Sequence, residues 1–175
     1  TTSDNSNGNA VKVKKWNGNS WEQVGNSISI NPYETRLAFN GSQLYLLVQE
    51  YLSFQISVLT LVGNTWQLVG PSNITSGSTN YPNLVCNNGS VYIAFLNSNL
   101  GSKASVMRFE DNQWQYVGDT LASIGISPYL CLAFDGTIPY IAFQDFSSSN
   151  RVTVRKLIGS SWVTVGNSGF SDGSS

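Results

Sequence analysis

The sequence predicts an all-β fold made of repeated four-stranded antiparallel units, and three observations carry that prediction. A tryptophan-centred hairpin recurs four times, a different hairpin recurs three times between its copies, and the pair repeats about every 47 residues. Repetition at such a period marks architectures in which one supersecondary unit is stacked on its neighbours.

The first hairpin reads VKVKKWNGNSWEQVG at 11–25, ISVLTLVGNTWQLVG at 56–70, ASVMRFEDNQWQYVG at 104–118 and VTVRKLIGSSWVTVG at 152–166. Its tryptophans, Trp21, Trp66, Trp114 and Trp162, stand 45, 48 and 48 residues apart. Eight residues before each lies a valine (Val13, Val58, Val106, Val154), and five before lies Trp16, Leu61, Phe109 or Leu157. A Val-Gly pair closes every copy. Apolar residues alternate around a turn that contains Gly or Asn, which is the pattern of strand, tight turn, strand. The second hairpin reads RLAFNGSQLYLLVQE at 36–50, LVCNNGSVYIAFLN at 84–97 and LAFDGTIPYIAFQD at 132–145. Asn40-Gly41, Asn88-Gly89 and Asp135-Gly136 are its turn signals, and Tyr45, Tyr92 and Tyr140 open its second strand. One repeat is then four strands, A-B-C-D, with long polar D-to-A connections expected at 26–35, 71–83 and 119–127.

Four short meandering strands with a longer link to the next unit describe the blade of a β-propeller. Each such sheet is apolar on both faces and has to lie between two neighbours. A β-sandwich would also show many short strands, but not this fixed period. The expected organisation is a flexible lead-in at 1–10, a half blade (one C-D hairpin) at 11–25, blades at 26–70, 71–118 and 119–166, and a linker at 167–175. About three and a half blades fall short of the usual closed ring of roughly four to eight. The chain is therefore expected to be an open arc, either a fragment of a larger propeller or a unit that associates with itself.

The run W-x-x-V-G … L-A-F-D-G … P-Y-I-A-F-x-D resembles repeats of the galactose-oxidase/Kelch-like and sialidase-like propeller superfamilies of secreted and surface-attached bacterial proteins. The resemblance covers 11–166 and is carried best by 132–166. The C-D turn is also similar to a degenerate sialidase Asp-box, although NGNSW, VGNTW and GSSW lack its aspartate and only EDNQW has one, Asp111. A sialidase-like activity would require an arginine cluster with a Tyr/Glu pair, and Arg36 is the only arginine on an A strand.

Composition narrows the function. Lys and Arg number 9 against 10 Asp and Glu, a formal charge of −1, so the basic footprint needed for nucleic acid is missing. Ser, Asn, Gly and Thr make 72 of the 175 residues, a polar surface of hydroxyls and amides that points to a secreted or cell-surface protein. The absence of an initiator Met and of a signal peptide fits a mature or excised segment. Asn40, Asn73 and Asn88 head glycosylation sequons. No apolar run approaches the ~18 residues of a membrane span. The sequence has no histidine, which excludes Ser-His-Asp and Cys-His catalysis and imidazole metal sites. No cofactor or metal is expected, since Asp4-Asn-Ser-Asn-Gly8 has one carboxylate and no downstream acid for calcium.

In a meander of this kind the D-to-A and B-to-C links fall at one end, where recognition commonly resides. Tyr33, Tyr81 and Tyr129 each precede an A strand there, and Glu50, Asn97 and Asp145 end the B strands. Aromatic planes beside carboxylates and amides suit sugars; the same residues could instead plug the seams between sheets and cap turns. Glu50, Asp135 and Asp145 are the only candidates for a glycosidase pair and come from separate turns. The four repeated tryptophans are expected to pack between sheets, and Trp16 to be an enlarged core residue. Lys12, Lys14, Lys15, Arg108, Arg155 and Lys156 are expected on solvated outer strands. Cys86, matched with Ala38 and Ala133, and Cys131, matched with Arg36 and Leu84, should point to the same side of adjacent A strands as buried free thiols; a disulfide is the alternative. The functional expectation is a non-catalytic extracellular module binding glycan or a protein surface. A fragment of a glycan-acting enzyme and a structural assembly protein are the alternatives.

Overall fold

The computed structural model describes residues 2–4 and 10–173. Among these the chain forms four antiparallel sheets. The first contains β1 (Thr2–Asp4), β2 (Ala10–Trp16) and β3 (Trp21–Ile28). The second contains β4 (Pro32–Asn40), β5 (Gln43–Glu50), β6 (Ile56–Val62) and β7 (Thr65–Leu68). The third contains β8 (Thr79–Asn87), β9 (Ser90–Asn97), β10 (Lys103–Glu110) and β11 (Gln113–Tyr116), and the fourth β12 (Cys131–Asp135), β13 (Ile138–Asp145), β14 (Arg151–Ile158) and β15 (Ser161–Thr164). In every sheet the strands pair in chain order. The sheets do not close into a ring.

Three apolar seams hold consecutive sheets face to face. Val11, Val13 and Ile28 of the first sheet meet Leu44, Leu46, Val48 and Leu59 of the second. On the other face of the second sheet, Leu47, Ile56 and Val58 meet Leu84, Val91, Ile93 and Phe95 of the third. Ala94, Leu96, Ala104 and Val106 then meet Leu132, Ile141 and Phe143 of the fourth. Successive strand residues point to opposite faces, so a strand buried on both sides reads as a continuous apolar run. That explains LYLLV in β5 and VYIAFL in β9. β13 has only one covered face and alternates between buried and more exposed positions.

The Trp and Val-Gly signatures form one lock. The indole Nε1 of Trp66 donates to the Val24 carbonyl at 3.1 Å, that of Trp114 to Val69 at 2.9 Å, and that of Trp162 to Val117 at 2.9 Å. Each tryptophan thus reaches into the sheet before it and satisfies its polar edge while burying its ring. The glycines after Val24 and Val69 leave room for the aromatic rings that pack there. A Cβ at Gly25 would stand 2.6 Å from Trp66 Nε1, and one at Gly70 2.9 Å from the Phe109 ring.

Several expectations are corrected. Trp66 and Trp162 are 6% and 3% exposed, but Trp21, before which no sheet lies among the described residues, is 64% exposed. Trp16 is exposed as well and is no core residue; its ring centroid lies 5.7 Å from that of Trp21. Arg155 is not on a solvated face: its guanidinium donates to the Ala122 and Trp162 carbonyls inside the third seam. The connection expected at 26–35 shrinks to 29–31, because β3 and β4 run on into it. Within the lead-in, Thr2–Asp4 pairs with β2 as β1, and Ala10 opens β2. Asp4-Asn-Ser-Asn-Gly8, read against a calcium loop, lies outside the described residues beyond the strand course of Asp4.

The cysteine alignment slips by one residue. In the second and fourth sheets Asn40 pairs with Gln43 and Asp135 with Ile138, leaving Gly-Ser and Gly-Thr as the two-residue turns. In the third sheet Asn87 pairs with Ser90, and Asn88-Gly89 is the turn. Cys86 therefore matches Phe39 and Phe134 rather than Ala38 and Ala133, and a one-residue slip reverses the face. Half-buried Cys86 packs in the second seam, whereas Cys131 is exposed; both are free thiols.

Candidate functional site

The connections on one side of the sheets are knitted into a common end. Tyr51 N donates to Asn31 O at 2.9 Å, Ser98 N to Ser78 O at 3.2 Å, and Phe146 N to Ile126 O at 3.4 Å. Each bond joins the link after a B strand to the link or strand entry before the A strand of the same sheet, so the tyrosine-bearing segments gather at this end.

Backbone irregularities set the tyrosines off from the ladder. The pairing of β4 with β5 shifts register between Pro32 and Glu34, with Tyr33 in the bulge. The pairing of β8 with β9 shifts between Asn80 and Asn83, which throws Tyr81 and Pro82 out of register. Tyr33 and Tyr81 therefore lie within the A strands rather than before them, while Tyr129 precedes β12. Bulges re-aim side chains and are over-represented next to binding sites. Tyr81, Tyr129 and Phe54 also have φ of 52°, 54° and 53°, a left-handed conformation that aromatic residues rarely adopt. Strain of this kind costs on the order of 1–3 kcal/mol and persists only where the surroundings enforce it. Here Asn83 enforces it in part, its Nδ2 donating to Tyr81 O at 3.0 Å and to Leu130 O at 2.8 Å.

The result is two exposed aromatic groups. Tyr33 meets Phe54 edge-on at 4.8 Å between centroids and Tyr51 at 6.3 Å. Tyr81 and Tyr129 lie 5.2 Å apart. The three tyrosines are 57%, 38% and 67% exposed, so they do not plug the seams. Between the groups runs a cleft of about 370 Å³ lined by Tyr33, Glu34, Asn80 and Tyr81. Glu34 is ion-paired with Arg36 on the same strand.

The three B-strand residues do something different. Glu50 accepts a hydrogen bond from Ser53 Oγ. Asn97 is buried and accepts from Asn99 N at 3.1 Å, capping the short 3-10 turn Ser98–Leu100. Asp145 caps Phe146–Ser148 in the same way, accepting from Ser147 N at 3.0 Å, Ser148 Oγ at 3.0 Å and Thr153 Oγ1 at 2.9 Å. Burial acts to raise the Asp145 carboxyl, but hydrogen bonds from Ser147, Thr153 and Ser148 outweigh it and hold the group below the ordinary carboxylate range. Among the glycosidase candidates, Asp135 lies at the far end of the β12–β13 hairpin from Asp145, and Glu50 belongs to another sheet. Among the described residues no group of three or more His, Cys, Asp or Glu could hold a metal, and no helix is long and apolar enough to cross a membrane.

The sequence reading missed Tyr51, Phe54, Glu34 and Asn80. The first two were visible as an aromatic pair in the YLSF link directly after Glu50; the other two depend on register shifts that no local signal announces. No family model matches the chain, and no match to it is found among curated proteins.

Proposed function

We propose that this chain is a non-catalytic carbohydrate-recognition module, an open arc of β-propeller blades that binds glycan through its tyrosine-bearing end. The observation that carries the reading is the cleft between Tyr33 and Tyr81 with Glu34 and Asn80 on its walls. Sugar rings offer apolar C–H faces to an aromatic plane and hydroxyls to carboxylate and amide groups, and this cleft has both partners within one small volume. Two further features support it: left-handed backbone at Tyr81 and Tyr129, and a second aromatic group at Tyr33, Tyr51 and Phe54 that would extend the platform. The four-stranded meanders packed in series support the propeller reading, and the Ser/Asn/Thr-rich, weakly charged composition an extracellular setting.

In this reading Asn97 and Asp145 serve the turns that follow them, and Glu50 has one carboxylate oxygen held by Ser53 Oγ. Titration against a panel of neutral and acidic oligosaccharides, followed by calorimetry, tests the proposal. Binding that weakens at least about tenfold in both Tyr33→Ala and Tyr81→Ala supports it, a loss expected from removing a stacking aromatic worth roughly 1–1.5 kcal/mol or more. Silence across the panel, or unchanged affinity in both variants, contradicts it.

A further inference from the structure

The lock that joins neighbouring sheets is left half-made at each end of the series, and the two halves are complementary. At the first sheet the tryptophan is present without a socket: Trp21 and Trp16 stand exposed against each other. Trp16 occupies the position of Leu61, Phe109 and Leu157, each of which packs beside the locking tryptophan of its seam. At the fourth sheet the socket is present without a tryptophan. Val165-Gly166 repeats Val24-Gly25, Val69-Gly70 and Val117-Gly118, yet a Cβ built at Gly166 would meet nothing within 4 Å.

The rest of the fourth sheet's outer face agrees. Val152 and Val154 match Ile56 and Val58 of the second seam and Ala104 and Val106 of the third, all buried against the following sheet. Here they are only half-buried, and beside Val152 lies an apolar groove of about 240 Å³ lined also by Tyr129, Cys131, Ala142, Phe143 and Gln144. An apolar sheet face left without the neighbour that covers its counterparts is a candidate for association. Lys14 on the first sheet matches Leu59, Met107 and Arg155, and Arg155 already shows that a long cation at this position is housed in a seam by donating to carbonyls.

We propose that copies of this chain associate head to tail, with Trp16 and Trp21 of one copy seated on Val165, Gly166 and the Ala142/Val152 face of the next. The occupant is a second copy because the chain itself carries both halves of a contact that it makes three times internally. Since the halves lie on different sheets, the contact is heterologous rather than two-fold, so every open assembly keeps one free head and one free tail until a ring closes.

Sedimentation over a wide concentration range, combined with end-blocked variants, is the test. The wild type is expected to form species of two or more copies that grow with concentration. Trp16→Ser with Trp21→Ala blocks the head and Ala142→Lys blocks the tail, and each variant alone is expected to be monomeric. Mixed in equal amounts, they still hold one intact head and one intact tail between them, so pairs should form and nothing larger. Both sites are exposed or half-exposed, and an unchanged denaturation midpoint checks that each variant folds; Gln144→Lys replaces Ala142→Lys if the latter does not. A wild type that is monomeric at every concentration, a blocked variant that still associates alone, or a mixture that yields no pairs would each overturn the proposal.

Discussion

The inner and outer sheets of this chain are written in the same repeat but live in different surroundings. In the second and third sheets both faces are covered, and the Trp/Val-Gly lock closes on both sides of each. In the first and fourth sheets one face is open, Trp21 lies bare and Gly166 receives nothing. Leu37 and Phe39 are exposed for a related reason: among the described residues the first sheet has three strands, without a counterpart of β4 to cover them. Conserving a motif within a chain therefore does not conserve its energetic role. The role comes from the neighbour.

The largest expected contrast follows from this. Trp162→Ala should destabilise by about 3–5 kcal/mol, because it empties a seam and orphans the Val117 carbonyl. Trp21→Ala in monomer should change stability by no more than about 0.5 kcal/mol, as for surface positions generally. Urea denaturation of the two variants reads the difference directly.

A smaller contrast separates two glycines of the same motif. Gly118 has φ +71°, and a Cβ there would press on the Leu157 side chain and stand 2.7 Å from the Ser160 carbonyl oxygen. Gly166 has φ +67° and open space around it. Gly166→Ala should cost only the left-handed backbone term, about 1–2 kcal/mol, and Gly118→Ala at least about 1 kcal/mol more through overpacking.

Asp145 and Asn97 sharpen the comparison between the third and fourth sheets, because they cap equivalent turns with and without charge. Asp145→Asn should cost about 1.5–3 kcal/mol at neutral pH, the value of hydrogen bonds to a charged acceptor. Because its carboxyl is held below the ordinary range when folded, its contribution is complete above the unfolded value and is lost as pH falls through the folded one. Denaturation midpoints of wild type and variant should accordingly converge in strong acid.

The smallest effect concerns rate alone. Burial pushes the Cys86 thiol up and half-hides it in a seam, whereas Cys131 is exposed on the open face. A thiol reagent followed by mass spectrometry should label Cys131 first, and slower labelling of Cys131 would contradict the face assignment.

The hairpins, their turns and the pairing order were legible in the sequence because period-two alternation and Gly/Asn turns are local signals. The two-sided burial of β5 and β9 was legible too, as unbroken apolar runs. Burial of the end sheets was not: Trp21 has the same local context as Trp66, but among the described residues a sheet lies before Trp66 and none before Trp21. The cysteine faces were misread because N-N-G-S offers two places for one turn, and local sequence does not choose between Asn87 and Asn88 as the last paired residue. Within the candidate site, the recurrence of Tyr33, Tyr81 and Tyr129 was visible in the sequence, but Glu34 and Asn80 reach the cleft through bulges set by tertiary pairing. Glu50, Asn97 and Asp145 were correctly placed at strand ends, yet nothing local told that they accept hydrogen bonds from the turns that follow.

Indole hydrogen exchange observed by NMR on the tail-blocked Ala142→Lys chain addresses the lock without removing any of its parts. Three indole N–H protons, those of Trp66, Trp114 and Trp162, should exchange slowly behind their bonds to Val24, Val69 and Val117, while those of Trp16 and Trp21 exchange at the rate of exposed groups. Slow exchange at Trp21, or fast exchange at Trp66 or Trp162, would contradict the account.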